Sequence, residues 1–184
     1  MKILETERLL LRQMDSANDA EFIFALLNSP KFIEYIGDRG VRSVDEAAVF
    51  IEDRYRASYL EHGFGLYVVE LKGGIADEDT VLNSRVSAPT QIGICGFVKR
   101  DHLEFPDIGF AFLPEFEAKG YGFESASAVL NYGRETLGFS HVLAITSIHN
   151  DVSVRLLNRL GFVFDGLIES PDNEKLKLFL LRFI

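Results

Sequence analysis

The pattern of apolar and polar residues predicts that the chain opens with a strand and two helices. The short, leucine-rich run at residues 8–12 predicts the strand. A polar cluster rich in Asp, Ser and Asn precedes the apolar stretch at 20–27, which is typical of a helix start. Ser43 and Glu46 have the Ser-x-x-Glu spacing of a capping box, and apolar residues recur at helical spacing from there to residue 62. A second, amphipathic helix is therefore predicted.

Beyond this point, strand patterns alternate with two more helices. Polar residues and a Gly-Gly pair indicate an insertion or a long hairpin connection over residues 73–90. Pro114 ends a strand and begins a loop that is expected to reach residue 122. Asn150 or Asp151 is placed to cap the last helix. The predicted strands cover residues 64–71, 91–100, 107–113, 141–146, 162–167 and 175–183, and the predicted helices cover 123–137 and the segment between Asn150 and Gly161.

The predicted element order is β-α-α-β-β-β-α-β-α-β-β. In this order a run of meander strands precedes two helical crossovers. It predicts a mixed, mostly antiparallel sheet in an α/β (α+β) fold. About seven strands and about four flanking helices are expected. The order does not favour a Rossmann fold, because no Gly-x-Gly-x-x-Gly follows the first strand.

Length and charge narrow the class of protein. A chain of 184 residues suits a single domain over residues 1–184. A net charge of −9 argues against nonspecific binding to nucleic acid and favours cationic partners such as amines. The N-terminus has no apolar signal-peptide core, and no stretch approaches the roughly 18 apolar residues of a membrane span. We therefore expect a cytoplasmic protein without a membrane partner.

Several common kinds of site lack the residues they need. Cys95 is the only cysteine and lies in an apolar run, so we expect a buried structural thiol, without a disulfide or a cysteine-rich metal site. The four histidines are scattered, and no metal site is expected. No Gly-x-Ser-x-Gly elbow supports a hydrolase triad.

A glycine-containing segment between a predicted strand and a predicted helix is the strongest indication of a ligand site. Its sequence is Glu117-Ala118-Lys119-Gly120-Tyr121-Gly122. Glycines let backbone N–H groups approach a ligand closely, and a helix N-terminus attracts phosphate. The alternative is a flexible loop whose glycines only permit a turn.

Short motifs distributed along nearly the whole chain point to one family. They are Glu5-Thr6-Glu7-Arg8-Leu9-Leu10-Leu11-Arg12, Asp107-Ile108-Gly109-Phe110, Leu113-Pro114-Glu115, Lys119-Gly120-Tyr121-Gly122-Phe123-Glu124, Asn150-Asp151-Val152-Ser153 and Leu160-Gly161-Phe162. In this order and spacing they resemble the GNAT N-acetyltransferase superfamily, especially the branch that contains the ribosomal-protein N-terminal acetyltransferases.

This resemblance implies that the cofactor is acetyl-coenzyme A. The cofactor would enter a V-shaped opening between the fourth and fifth predicted strands, residues 107–113 and 141–146, with its pyrophosphate on the glycine-containing loop. A bulge around residues 110–113 would offer backbone groups to the pantetheine arm and the thioester oxygen. The implied cofactor-binding residues are Phe110, Ala111, Phe112, Leu113, Ala118, Lys119, Gly120, Tyr121, Gly122, Phe123, Asn150 and Ser153.

Asn150 and Ser153 match a family pattern in which Asn binds the pantetheine arm and Ser protonates the leaving thiolate. Both residues also suit a helix start, with Asn150 as the N-cap and Ser153 in the first turn. Many family members use a Tyr seven residues after this Asn as the acid, but this chain has Leu157 there. The remaining options are Ser153 or unassisted departure of the thiolate.

Asp107 is the first candidate for the general base that takes a proton from the amine. Burial beside apolar neighbours would raise its pKa toward neutrality. Alternatively, Asp107 is an exposed acid at a strand end or the partner of a Lys or Arg. Asp172 and Glu174, between the last two strands, are the other candidates for the base or for binding of a cationic substrate.

The loop departs from the family pattern at Glu117, where many members have Gln or Arg, and at Ala118, where Gly is common. A carboxylate near the pyrophosphate would repel it unless it is turned away. The expected function is direct acetyl transfer to a primary amine, either a protein N-terminus or a small amine, by a monomer or homodimer. The alternative is a noncatalytic acyl-coenzyme A sensor with the same fold.

Overall fold

The computed structural model describes residues 1–73, 89–171 and 173–183. Its strands are β1 (Lys2–Glu5), β2 (Leu9–Arg12), β3 (Leu66–Leu71), β4 (Thr90–Val98), β5 (Asp107–Phe112), β6 (His141–Ser147), β7 (Val163–Glu169) and β8 (Lys175–Arg182). In this part of the chain the eight strands form one sheet in the order β1-β2-β3-β4-β5-β6-β8-β7. Neighbours are antiparallel except β5 and β6, which are parallel. The mixed, mostly antiparallel sheet is as predicted.

Helices cover both faces of this sheet. They are α1 (Ser16–Leu27), α2 (Pro30–Tyr35), α3 (Val44–Phe50), α4 (Ala57–His62), α5 (Tyr121–Glu135) and α6 (Asp151–Arg159). A π-helical segment, Ile51–Arg56, joins α3 to α4, and a 3-10 turn, Pro114–Phe116, precedes α5. None of the helices in the described ranges is both long and apolar enough to cross a membrane.

The sequence patterns missed β1 and α2. These elements are only four and six residues long, which is too short for a clear periodic pattern of apolar residues. The predicted start of α5 at residue 123 was two residues late, because the helix begins at Tyr121 after Gly120 in the left-handed conformation. The predicted insertion over residues 73–90 lies mostly outside the described residues, and β4 already begins at Thr90.

Two apolar clusters pack on opposite faces of the sheet. The first contains Leu9, Leu11 and Phe97 and packs against α5. The second contains Val68 and Ile94 and packs against α1, α3 and the π-helical segment. Successive strand residues point to opposite faces, so β3 and β4 contribute side chains to both clusters. The predicted buried position of Cys95 is confirmed, in the first cluster.

A buried ion cluster fastens α1 to the sheet. Arg12 donates through Nη1 and Nη2 to the two carboxylate oxygens of Asp19, at 2.8 and 2.7 Å, and through Nε to Glu70 at 2.9 Å. Gln91 donates to the same Asp19 carboxylate. The hydrogen bond to Asp19, supported by Glu70, raises the pKa of Arg12 although burial opposes this. One guanidinium thus satisfies two buried carboxylates.

Replacing this guanidinium should destabilise the fold strongly. Arg12→Met leaves Asp19 and Glu70 buried without their cation, so we expect the free energy of unfolding to fall by roughly 3 kcal/mol or more. Denaturant unfolding measures the change. Arg42→Met is the matched control, because Arg42 pairs with Asp38 in solvent and its loss should leave stability near the wild-type value. Similar stability of the two variants would contradict the assigned role of the cluster.

Candidate functional site

The neighbouring strands β5 and β6 part almost as soon as they meet. Among the described residues their pairing consists of Asp107 with Leu143, supported by a hydrogen bond of 2.9 Å from Leu143 N to Pro106 O. On its other side β5 remains paired with β4 over six residues, from Asp107 to Phe112. The two strands therefore enclose a V-shaped opening whose vertex is at Asp107 and which widens toward Phe112, as predicted.

The antiparallel ladder decides which backbone groups of β5 face the opening. Leu113 N donates to Ile92 O of β4 at 2.9 Å, which makes these two residues a hydrogen-bonded pair. Such pairs alternate along a ladder, so Ala111 and Leu113 turn their N–H and C=O groups toward β4. Phe110 and Phe112 turn theirs toward the opening. Of the four strand residues implied for cofactor binding, these two can offer backbone hydrogen bonds there.

The bulge that the resemblance implies around residues 110–113 is not present. The register between β4 and β5 runs without a shift from Gly93 and Phe112 to Val98 and Asp107. The opening arises instead because β6 leaves β5 after its single paired residue and pairs with β8 over residues 141–147. The prediction of a bulge in β5 was wrong. The opening results from the path of β6, which is set by its pairing with β8 and not by the sequence of β5.

The loop before α5 places a helix N-terminus beside the wide end of the opening. Gly120 is the N-cap in the left-handed conformation, with φ +85°, and no side chain caps the helix. A Cβ at Gly122 would lie 3.3 Å from Leu156 of α6 and 3.6 Å from Phe112 of β5, so the glycine permits this close packing. The first N–H groups of a helix lack intrahelical partners, and together with the helix dipole they suit an anion.

Three residues of the family motifs hold this loop in place. The Thr6 hydroxyl and the Arg8 backbone N–H donate to Oε1 of Glu124, at 2.5 and 3.0 Å, and Arg8 Nε donates to Oε2 at 2.7 Å. Burial alone would raise the pKa of Glu124, but these hydrogen bonds outweigh it and lower the pKa. Arg8 Nη1 also donates to the Lys119 carbonyl at 3.2 Å. The motifs contain all three side chains, but their contact depends on the tertiary structure.

Glu117 is turned toward α2. Its carboxylate pairs with Lys31, the second residue of that helix. The hydrogen bond to Glu117 raises the pKa of Lys31, although desolvation opposes this. The expected repulsion between Glu117 and a bound pyrophosphate is therefore reduced by a neighbouring cation.

Asn150 is the residue that caps α6. Its side-chain oxygen accepts from Ser153 N at 3.0 Å, as expected of an N-cap residue. Leu157 is only 1% exposed and belongs to the first apolar cluster. The position at which the family resemblance implies a Tyr as the acid is thus occupied by a core side chain. Asn150 and Ser153 still lie directly after β6, at the wide end of the opening.

Asp107 combines two properties that the sequence left as alternatives. Its residue is 1% exposed, and its carboxylate accepts from Arg100 Nε at 2.9 Å. Burial raises the pKa of Asp107 to about 6, although Arg100 opposes the shift. Along β5 the side chain shares a face with Ala111, which packs against the second cluster. Asp107 therefore lies at the vertex, on the face opposite α5.

Glu174 is not brought near Asp107. It is exposed in the turn between β7 and β8, where its backbone N–H donates to Ser170 Oγ at 3.1 Å. Leu176 pairs with Ser147, four residues beyond the vertex partner Leu143, so this turn is at least about 13 Å along the sheet from the vertex. Asp172 lies outside the described residues.

No metal-binding cluster is apparent in the described ranges. Nowhere in them do three His, Cys, Asp or Glu side chains come together in a way that could hold a metal ion. Among the described residues, every buried side-chain nitrogen or oxygen atom has a hydrogen-bond partner.

Comparisons with known proteins agree on one family. Residues 8–163 match the Acetyltransferase (GNAT) domain. The chain is 32% identical over 168 residues to the N-acetyltransferase YoaA of Bacillus subtilis, which covers 90% of this chain and 85% of YoaA.

Solved structures share the fold. Spermidine N-acetyltransferase from Vibrio cholerae, in complex with CoA and spermine, has a TM-score of 0.71 and 19% identity over 96% of each chain. RimL, a ribosomal L7/L12 alpha-N-protein acetyltransferase in complex with coenzyme A, has a TM-score of 0.67 and 13% identity over 99% of this chain and 98% of its own.

Ala118, in the loop before α5, should lower the free energy of unfolding relative to a glycine at the same position. Ala118 has φ +59°, a left-handed conformation that glycine adopts without strain. We expect Ala118→Gly to raise the free energy of unfolding by about 0.5–1 kcal/mol. Ala128→Gly, in the middle of α5, is the control and should lower it by about 1 kcal/mol. A loss of stability in both variants, measured by denaturant unfolding, would contradict the strain at Ala118.

Proposed function

This chain belongs to the GNAT acetyltransferase family and is an acetyl-CoA-dependent N-acetyltransferase, and we propose that it transfers acetyl directly to a primary amine held near Asp107. The acceptor is a protein N-terminal amine or a small amine. The observation that carries the proposal is the parting of β5 from β6 beside an uncapped helix N-terminus. It provides an extended backbone edge and an anion site next to each other.

The described residues fit coenzyme A. Backbone N–H and C=O groups of Phe110 and Phe112 suit the amides of the pantetheine arm, which would lie along β5 as an added strand does. The loop around Gly120 and the N-terminus of α5 suit the pyrophosphate. Asn150 and Ser153 border the same opening from α6. When bound, acetyl-CoA supplies an activated thioester.

Direct transfer needs no acetylated cysteine. Cys95 is fully buried, and burial raises the pKa of its thiol to about 12, so it stays neutral and inaccessible at pH 7. In the proposed transfer the amine nitrogen would bond to the acetyl carbon, the amine would give up a proton to the general base, and the carbon–sulfur bond would break to release coenzyme A as the thiolate. Ser153 is the proposed donor of a proton to the departing thiolate.

Asp107 is the proposed general base. Because its pKa is raised to about 6, it is mostly ionised at pH 7 and yet more basic than an exposed Asp. Its burial means that the proton reaches it through a water molecule or after a small movement of the side chain. Arg100 holds the carboxylate in place through the hydrogen bond at 2.9 Å.

The overall charge of the chain favours a cationic acceptor. Its formal net charge is −9 at pH 7. A protonated amine is attracted by a protein that carries this excess of negative charge. The structural neighbours act, by their names, on spermidine and on a ribosomal protein, which supports testing both acceptor classes.

Calorimetric titration with acetyl-CoA, followed by release of free thiol in the presence of amines, tests the function. The panel contains peptides with free or blocked N-termini, polyamines and amino acids. We expect micromolar binding and thiol release that depends on a free amine. Binding without release would favour a sensor of acyl-coenzyme A, and lack of binding would contradict the proposed site.

The proposed base predicts a specific pH dependence. Because the active form of Asp107 is deprotonated and its pKa is about 6, kcat/KM should rise as the pH increases through about 6. Asp107→Asn should lower kcat by about 100-fold or more and remove this limb of the profile. Coenzyme A affinity, measured by calorimetry, should stay near the wild-type value.

Asp165→Asn is the matched control for this variant, because Asp165 is exposed on β7. It should keep both the wild-type rate and the pH profile. If Asp107→Asn retains the limb near pH 6, another group is the base. If it loses coenzyme A affinity and stability together, Asp107 has a structural role only.

A further inference from the structure

We propose that Arg8 is a positioning residue for the pyrophosphate-binding loop, and that it sets the affinity for the nucleotide part of acetyl-CoA without taking part in acetyl transfer. This inference rests on the proposed function, because it assumes that the loop before α5 holds the pyrophosphate. It assigns a role to a side chain of the turn between β1 and β2, which lies outside the opening itself.

The contacts of Arg8 bracket Gly120. Its Nη1 donates to the carbonyl oxygen of Lys119 at 3.2 Å, on one side of the glycine. Its guanidinium carbon lies 4.5 Å from the ring centroid of Tyr121, on the other side. Its Nε is anchored to Glu124, one turn into α5, at 2.7 Å. The Arg8 side chain thus contacts the residues directly before and after Gly120.

The guanidinium also covers Gly120 directly. A Cβ on this glycine would lie 3.3 Å from Nη2 of Arg8. With φ +85°, Gly120 sets the direction in which the following N–H groups of α5 point. A side chain that lies over this residue restricts the conformations open to its backbone. The N–H groups that receive the phosphates are then oriented before the ligand arrives, which reduces the entropy lost on binding.

Arg8 acts through the loop because its Nε, Nη1 and backbone N–H groups are directed at protein oxygens. Nε and Nη1 donate to Glu124 and to Lys119 O, and the backbone N–H of Arg8 donates to Glu124 Oε1 at 3.0 Å. The positive charge is balanced by the Glu124 carboxylate, so it adds little net attraction for phosphate. The arrangement needs a planar, forked group that also stacks on a ring, which arginine provides and lysine does not.

The test compares two thioester donors. Acetyl-CoA carries the pyrophosphate, whereas S-acetylpantetheine has the same thioester and amides but no phosphate. We expect Arg8→Met to raise KM for acetyl-CoA about 10- to 100-fold, with kcat within about threefold of wild type, and to leave kcat/KM for S-acetylpantetheine unchanged. Calorimetry with coenzyme A, without any acceptor, should show the same loss of affinity. Arg8→Lys should weaken binding nearly as much.

Arg42→Met is the matched control, because Arg42 forms its ion pair with the exposed carboxylate of Asp38. It should keep both donors at wild-type values. If Arg8→Met does not fold, Glu124→Gln keeps the side-chain shape but removes the negative charge and one of the two acceptor oxygens that hold Thr6 and Arg8. It should show a selective loss for acetyl-CoA in the same direction. Thermal unfolding without ligand identifies which variant to use.

The outcomes separate this inference from the proposed function. Three results would each overturn the positioning role. They are wild-type affinity of Arg8→Met for coenzyme A, an equal loss of kcat/KM with both donors, and full restoration of binding by Arg8→Lys. Wild-type protein that binds no coenzyme A would overturn the proposed function and the inference with it. A selective loss with acetyl-CoA supports the positioning role.

Discussion

The parting of β5 from β6 is the constraint on which the rest of the site depends. A strand in the middle of a sheet normally satisfies its backbone on both edges, and a buried polar group without a partner costs free energy. Here β5 is held by six pairs with β4, and β6 by seven pairs with β8, so each strand is anchored on the side that faces away from the gap. The opening is therefore built into the sheet, and its edge is available to a ligand.

The helix N-terminus at the wide end of the opening depends on an unusual stretch of backbone. Ala118 and Gly120 both have positive φ, two residues apart. Such a loop has many alternative conformations unless other groups restrict it. The restriction comes from the N-terminal segment, because Thr6 and Arg8 form hydrogen bonds with Glu124 of α5. The chain thus uses its first turn to shape a loop more than a hundred residues away.

Two arginine–carboxylate contacts in the structure have different consequences because their surroundings differ. Arg12 meets two carboxylates through several hydrogen bonds, which raise the pKa of the guanidinium and fasten α1 to the sheet. Arg100 donates to Asp107 through Nε, and burial of the carboxylate outweighs this contact, so the pKa of Asp107 is raised. The first arrangement suits a structural role, and the second leaves a carboxylate able to exchange a proton near neutral pH.

The sequence by itself determined the kinds of elements, most of their order and the residues that line the loop, because apolar periodicity, capping residues and glycines act locally. Strands β2 to β8, the capped helices and the buried Cys95 followed from such signals. Only the tertiary structure decided where β6 leaves β5, that the implied bulge is absent, that Glu117 turns to Lys31 and that Arg8 covers Gly120. These features depend on contacts between residues far apart in the chain, which no local pattern encodes.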